Sequence, residues 1–218
     1  MIKFKDICIL TSSQSWFIHY AQDLKNKLEH IGYSTRIYHH HKDVPDDVEL
    51  VFLLSYFTRV DSFFLHKHKH TLVVHESDLP NGKGWSPLFW QIIEGKNEIP
   101  VVLIEAAEQL DSGVIYLKDT IKLNGYELHD EIRMAQASIT TNLCIKFLRE
   151  YNNIKPYAQR EQKESFFQKR TQRDSKLDIK KPIIEQFNLL RTVNNKEFPA
   201  FFEIDKHKYI LKIEKTDD

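Results

Sequence analysis

Five apolar residues follow one another without interruption from Leu50 to Leu54. A strand with one wet face alternates apolar and polar side chains. An unbroken apolar run of strand length therefore belongs to a strand covered on both faces, as in a parallel sheet flanked by helices. The neighbouring sequence supplies the helices. Asp6 to Thr11 reads as a first short buried strand, after which Ser12 and Ser13 offer an N-cap. Phe17, Ala21, Leu24, Leu28 and Ile31 recur at steps of four and three, which is one helical face, and Gly32 closes that helix. Ser34 to Tyr38 is a second strand, Asp61 to His66 a short helix, and Thr71 to Val74 a strand that ends directly at His75. Pro87 to Glu94 is another short helix, with proline in its first turn and Gly95 after its end. Strands over Pro100 to Glu105 and Val114 to Leu117 precede a long amphipathic helix marked by Leu128, Ile132, Ala135, Ile139, Leu143 and Phe147. The alternation predicts an α/β fold with a doubly wound, mostly parallel, Rossmann-like sheet. Ligands in such sheets sit at the carboxyl ends of strands, where His75 stands.

The texture changes after Tyr151. Residues 152–178 are polar and charged, with few apolar anchors, and read as a linker that hugs the preceding unit. Pro182 to Leu190 is a short helix. Ala200 to Ile204 and Lys208 to Ile213 alternate well enough to form a hairpin across Asp205, Lys206 and His207. The expected organisation is an α/β domain over residues 1–151 and an extension over 152–218 made of linker, short helix and β-hairpin. A lone hairpin is marginal in water, and its edges invite a partner. With Phe202, Ile204, Tyr209, Leu211 and Ile213 available for burial, the extension points to a homodimer through the C-terminal region.

Basic and acidic residues balance at 31 each. A chain that lives on nucleic acid usually carries a basic excess, so no nucleic-acid partner is expected. Cys8 and Cys144 lie in apolar surroundings and are expected as buried free thiols in a reducing compartment. The N-terminal MIKFKDICIL has too brief an apolar stretch for a leader, and no run approaches membrane-span length. The expectation is a cytoplasmic protein with no membrane insertion. His39, His40 and His41, and His66, His68 and His70, lack nearby cysteine or a coherent ligand set. They are expected as solvated loop and helix-end residues, with no metal.

The most informative stretch is His75-Glu-Ser-Asp-Leu-Pro80-Asn-Gly-Lys-Gly84-Trp-Ser-Pro87. A histidine leaves a buried strand into a loop constrained by Pro80, Gly82, Gly84 and Pro87, and Leu110-Asp111-Ser112-Gly113 lies between the next two strands. These residues resemble the catalytic core of the folate-dependent formyltransferases, a family that includes methionyl-tRNA, glycinamide ribonucleotide and nucleotide-sugar enzymes. The family pattern is Asn-x-His-x-Ser-Leu-Leu-Pro, a basic residue, Gly, two residues and Pro, followed later by Leu-Asp-x-Gly. The match covers His75, Ser77, Leu79, Pro80, Lys83, Gly84, Pro87, Gly95, Leu110, Asp111 and Gly113, in register, with weaker similarity over most of the chain including Arg191. The family's asparagine falls at Val73.

The resemblance implies that His75 and Asp111 are catalytic, with 10-formyltetrahydrofolate as co-substrate. An amine would attack the formyl carbon, and His75 would donate to the developing oxyanion or move protons. Asp111 would orient the imidazole and help take the amine's proton. With Val73 in the asparagine position, the oxyanion donor is left to His75, a backbone N–H or a water, and Val73 itself is expected to pack inward. Folate contacts are expected from Phe57, Leu110, Ser112 and Gly113, and substrate contacts from Ser12, Ser13, Lys83 and Trp85. For Trp85 and Trp90 core packing is the plainer expectation. Glycine is missing from the Thr11-to-Trp16 loop, unlike the ribonucleotide branch, and little chain follows Arg191, unlike the tRNA branch. The short chain is most similar to the nucleotide-sugar branch, a compact subgroup that includes enzymes of the pseudaminic-acid type. The implied partner is a nucleotide-linked amino sugar destined for surface polysaccharide. A formyltransferase acting on another amine, or a non-catalytic folate or nucleotide-sugar binding protein, are the alternatives.

Overall fold

The computed structural model describes residues 4–216. Met1, Ile2 and Lys3, part of the stretch read as too short for a leader, lie outside them. In chain order the elements are β1 (Asp6–Leu10), α1 (Ile18–His30), β2 (Ser34–Tyr38), β3 (Leu50–Leu53), α2 (Ser62–Lys67), β4 (His70–His75), β5 (Lys83–Gly84), α3 (Pro87–Ile93), β6 (Glu98–Glu105), β7 (Ile115–Lys122), α4 (His129–Glu150), β8 (Phe166–Phe167), α5 (Phe187–Leu190), β9 (Ala200–Ile204) and β10 (His207–Leu211). Six strands form one sheet in the order β2-β1-β3-β4-β6-β7.

The unbroken run in β3 is buried at every position, as a strand covered on both faces must be. Leu50 and Phe52 join Ile7 and Ile9 of β1 in the larger core, which includes Leu24 of α1 and Phe147 of α4. Val51 and Leu53 join Cys8, Leu10 and Phe64 of α2 in a second core on the other face. Both thiols are free and buried, and burial pushes them far above the usual cysteine range. Among the described residues no helix is long and apolar enough to cross a membrane.

Three features differ from the sequence reading. Helix α1 starts at Ile18, with Phe17 at its cap position and no side-chain capping bond. Ser12 and Ser13 do not cap it: Ser12 Oγ accepts from the Phe57 N–H, and Ser15 Oγ accepts from the Phe17 N–H. The sheet is parallel only from β2 to β4, because β6 pairs antiparallel with β4. Helix α3, at seven residues, spans only about 10 Å. It cannot return the chain to the start of β4, so β6 enters at the top and runs down. β7 then runs up beside β6 and is eight residues long, extended by Lys118, Asp119 and Thr120, polar residues suited to a sheet edge.

The segment after α4 is threaded back over the sheet. Tyr157 bridges Ile115, and β8 pairs with β5. Arg191 is fully buried, with Nη2 on Asn97 Oδ1 at 2.5 Å and Nε on Asn188 Oδ1 at 3.0 Å. The hairpin turns on two residues, Asp205 (φ 50°) and Lys206 (φ 68°), while His207 is already paired with Ile204. Two positive φ values are the signature of the tight turn that suits strand twist. Leu177, Leu190, Val193 and Ala200 form a satellite core against which Phe202, Leu211 and Ile213 pack. Ile204, Tyr209 and Ile210 remain about half exposed.

Candidate active site

His75 is the last residue of β4 and is buried, at 5% exposure. Its Nε2 lies 2.8 Å from the Gly82 carbonyl oxygen. A carbonyl can only accept, so Nε2 carries a proton and Nδ1 is the ring's remaining lone pair in the neutral form. Nδ1 faces Asp111 Oδ2 at 3.7 Å, with both side chains under a tenth exposed. That separation is beyond a hydrogen bond. The ring is therefore oriented by Gly82 rather than by Asp111, a correction to the role expected of the carboxylate.

Asp111 reaches this position by an indirect route. Because β6 runs down, its end at Glu105 lies beside Leu72, whereas His75 is beside Val102. The β6–β7 loop doubles back up the sheet to bring Asp111 against His75. At the hinge a Cβ on Gly113 would lie 1.8 Å from the Glu105 carbonyl oxygen, so only glycine fits. Asp111 itself sits at φ 50°, which costs an aspartate about 1 kcal/mol. Its Oδ2 accepts from the Gly84 N–H at 2.9 Å, and its carbonyl accepts from Gln159 Nε2 at 2.8 Å.

Lys83, expected at the substrate, is 1% exposed, and its ammonium lies 2.5 Å from Glu164 Oε1. It is engaged inside the fold and not presented to an anion. Trp85 does not join the core: it is 38% exposed, its ring 6.2 Å from that of Phe57, with the Lys169 ammonium over its face. Trp90 Nε1 donates to the Gln168 carbonyl. Phe57 and Leu110 are each about half exposed. Ser12 adjoins Phe57 through the bond already described, Ser13 is exposed, and Ser112 Oγ donates to the Gln109 carbonyl within its own loop. Thus Ser12, Phe57 and Trp85 come together on one side, and Leu110, Asp111, Ser112 and Gly113 share the doubled-back loop. Val73 is partly buried and packs against two buried clusters. Ser77 Oγ, two residues beyond His75, is buried without a hydrogen-bond partner. The sequence reading passed over Gln159, Glu164 and Ser165, which lie in a polar stretch with no periodic signal.

The remaining histidines are not all solvated. His68 is buried with Nδ1 at the Val48 carbonyl, because the chain turns inward after α2, and His70 is enclosed by aromatic rings. Among the described residues no group of three His, Cys, Asp or Glu side chains is arranged to hold a metal.

No family model matches the chain. It is 25% identical over 145 residues to methionyl-tRNA formyltransferase of Malacoplasma penetrans, covering 66% of this chain and 46% of that protein. It is 30% identical over 133 residues to the enzyme of the same name from Rickettsia prowazekii, covering 61% and 44%. The chain thus spans less than half the length of these curated relatives. Among solved structures, methionyl-tRNA formyltransferase from Clostridium thermocellum superposes with a TM-score of 0.80 at 22% identity, over 97% of this chain and 93% of that one. A likely sugar N-formyltransferase from Mycobacterium tuberculosis gives 0.75 at 17% identity, over 98% of each chain. HypX from Aquifex aeolicus, solved in complex with tetrahydrofolic acid, gives 0.72 at 17% identity, over 96% of this chain and 37% of that one. The mostly parallel sheet with its C-terminal hairpin is the formyltransferase fold, and over about two thirds of its length the chain is similar in sequence to methionyl-tRNA formyltransferases.

Proposed function

We propose that this protein moves a formyl group from 10-formyltetrahydrofolate to the amino group of a nucleotide-linked amino deoxy sugar. The observation that carries the reading is the buried facing pair, His75 Nδ1 and Asp111 Oδ2, at the carboxyl end of β4. The exposed rings of Phe57 and Trp85 and the exposed Leu110 suit a flat, partly apolar donor. The folate supplies an activated formyl group. What the chain supplies is proton handling. Gly82 keeps the Nε2 proton of His75, so Nδ1 is the atom that takes up and returns a proton. Protonated there, the ring donates to negative charge growing on the formyl oxygen, and the Asp111 carboxylate stabilises the imidazolium. Gly84 holds Oδ2 of Asp111, which leaves Oδ1 to receive the proton of the attacking amine as the new C–N bond forms. The Nδ1 proton of His75 passes to the folate nitrogen as its bond to the formyl carbon breaks and tetrahydrofolate leaves. Valine at 73 offers no donor, so His75 is the side chain left to meet that charge.

A zero net charge favours a small substrate over a tRNA. The likeness to a likely sugar N-formyltransferase is consistent with the same choice. The higher TM-score to the methionyl-tRNA enzyme favours a second reading, transfer to methionyl-tRNA. The test is mass spectrometry after incubation with 10-formyltetrahydrofolate and a panel of UDP-, dTDP- and CMP-linked amino sugars plus methionyl-tRNA. Formylation of a sugar supports the first reading, and formylation of the tRNA alone the second. Folate binding without transfer to any amine would mark a binding protein. The reading includes a homodimer across the hairpin, where Ile204, Tyr209 and Ile210 stay half exposed. A monomeric mass by light scattering at micromolar concentration would exclude it.

A further inference from the structure

We propose that Gln159 is a positioning residue that holds Asp111 in register with His75, as the fastening point of a strap formed by residues 157–168. The two candidate catalytic side chains come from places the sheet does not couple. His75 ends β4, and Asp111 lies on a loop that leaves the sheet at the opposite end of the neighbouring strand. That loop is exposed from Ala107 to Leu110, and only glycine fits at its hinge, so little inside it fixes where its tip rests. Gln159 Nε2 donates to the Asp111 carbonyl at 2.8 Å and to the Gly113 carbonyl at 3.0 Å, clamping both sides of Ser112. Gln159 is itself anchored, because the Tyr157 and Ile115 backbones exchange two hydrogen bonds, at 2.8 and 3.0 Å.

The other end of the same strap holds the loop that orients His75. The Gly82 N–H donates to Ser165 Oγ at 2.8 Å, the Lys83 N–H to the Ser165 carbonyl at 2.9 Å, and the Trp85 N–H to the Phe167 carbonyl at 3.1 Å. The buried Lys83 is matched to Glu164 of the strap. A Cβ on Gly84 would lie 2.5 Å from the Phe167 carbonyl oxygen, so the strap is seated directly on this loop. The backbone bonds at Tyr157 hold the strap to the sheet, and those at Ser165 and Phe167 hold it to the loop after His75. The Gln159 side chain transmits that hold to the Asp111 backbone, and the Gly84 N–H meets the Asp111 carboxylate. For its kinetic consequences this inference rests on the formyl-transfer reading, and its structural half does not.

Amide hydrogen exchange on the full-length, ligand-free protein tests it, comparing the wild type with Gln159→Leu and Gln159→Glu. Gly84 N–H reports on Asp111 because it is bonded to Oδ2. It should exchange about tenfold faster in both variants, since both hydrogen bonds from the Gln159 amide are lost. Trp85 and Ile115 N–H, bonded to the strap backbone, should be unchanged. In formyl transfer from 10-formyltetrahydrofolate, kcat should fall about ten- to a hundredfold through misplacement, with KM for the folate unchanged. Adding Gln159→Leu to Asp111→Asn should cost nothing further, because Gln159 acts through Asp111. Unchanged Gly84 exchange, acceleration of all three amides together, or additive kinetic losses would each overturn the proposal. If the exchange pattern holds while the wild type formylates no amine, the positioning role stands and the formyl-transfer reading falls.

Discussion

Strand β4 begins and ends on a histidine, and the two ends are built differently. At His70 both ring nitrogens are engaged: Nδ1 with Glu105 Oε2 at 2.9 Å and Nε2 with the Tyr151 hydroxyl at 2.7 Å. Tyr116 donates to the same carboxylate oxygen at 2.8 Å, and the Thr71 N–H to the other at 2.7 Å. Phe4, Phe147, Tyr116 and Tyr151 surround the ring edge-on. At His75 one nitrogen is bonded, and the other faces a carboxylate across 3.7 Å. A histidine–carboxylate pair whose hydrogen bonds are all made adds rigidity to its surroundings. One held in place but left with an unmade bond is available to a proton in transit. The residue types are the same at both ends, and the distances separate their roles.

Substitution at the open end carries the largest expected effect. His75→Ala and Asp111→Asn should each lower formyl transfer by at least about two orders of magnitude, the scale of lost acid–base or charge stabilisation. Asp111→Asn should leave the unfolding midpoint close to wild type, because an amide oxygen can still accept from the Gly84 N–H, whereas His75→Ala also loses the bond to the Gly82 carbonyl and should cost about 1 kcal/mol. Turnover near wild type at saturating folate in either variant would erase the distinction between the two ends. At the closed end the consequence should appear in stability. His70→Leu removes two hydrogen bonds from a part-buried network and should lower unfolding stability in urea by about 1–3 kcal/mol, while kcat per folded molecule stays within about twofold. A catalytic loss at His70 comparable to that at His75 would show that the lower cluster belongs to the site.

The smallest effect concerns Tyr116. Burial, with the charge and hydrogen bond of Glu105 added, pushes its hydroxyl well above the usual tyrosine range. In the unfolded chain a tyrosine releases its proton near pH 10. The folded state then binds the extra proton, so stability falls as pH rises through and beyond about 10. Tyr116→Phe should cost about 1 kcal/mol at neutral pH and should show a shallower alkaline decline in denaturant titrations. An alkaline profile identical to wild type would mean that Tyr116 is not titrating in the closed cluster.

Much of this molecule was readable along the chain. The apolar run of β3 and the four-and-three spacing of α1 rest on neighbours in sequence; β3 and the end of α1 lie within a residue or two of their expected bounds, while α1 begins at Ile18 and not directly after Ser13. Ser12 misled because a serine before a helix reads as a cap wherever its hydroxyl is in fact spent, here on the Phe57 N–H from another loop. Lys83 misled for a related reason: a lysine in a glycine-rich loop reads as exposed, while its partner Glu164 is 81 residues away.

The sequence by itself determined the layers of the fold and the identity of the two side chains that face each other, because burial periodicity and the His75 and Asp111 motifs are local patterns. Only the tertiary structure decided that β6 turns antiparallel, that the Asp111 loop doubles back, and that a polar stretch around Gln159 ties both loops down. Those outcomes depend on the reach of a seven-residue helix and on hydrogen bonds between residues some fifty to eighty positions apart. Partners that distant leave no periodic trace in either segment.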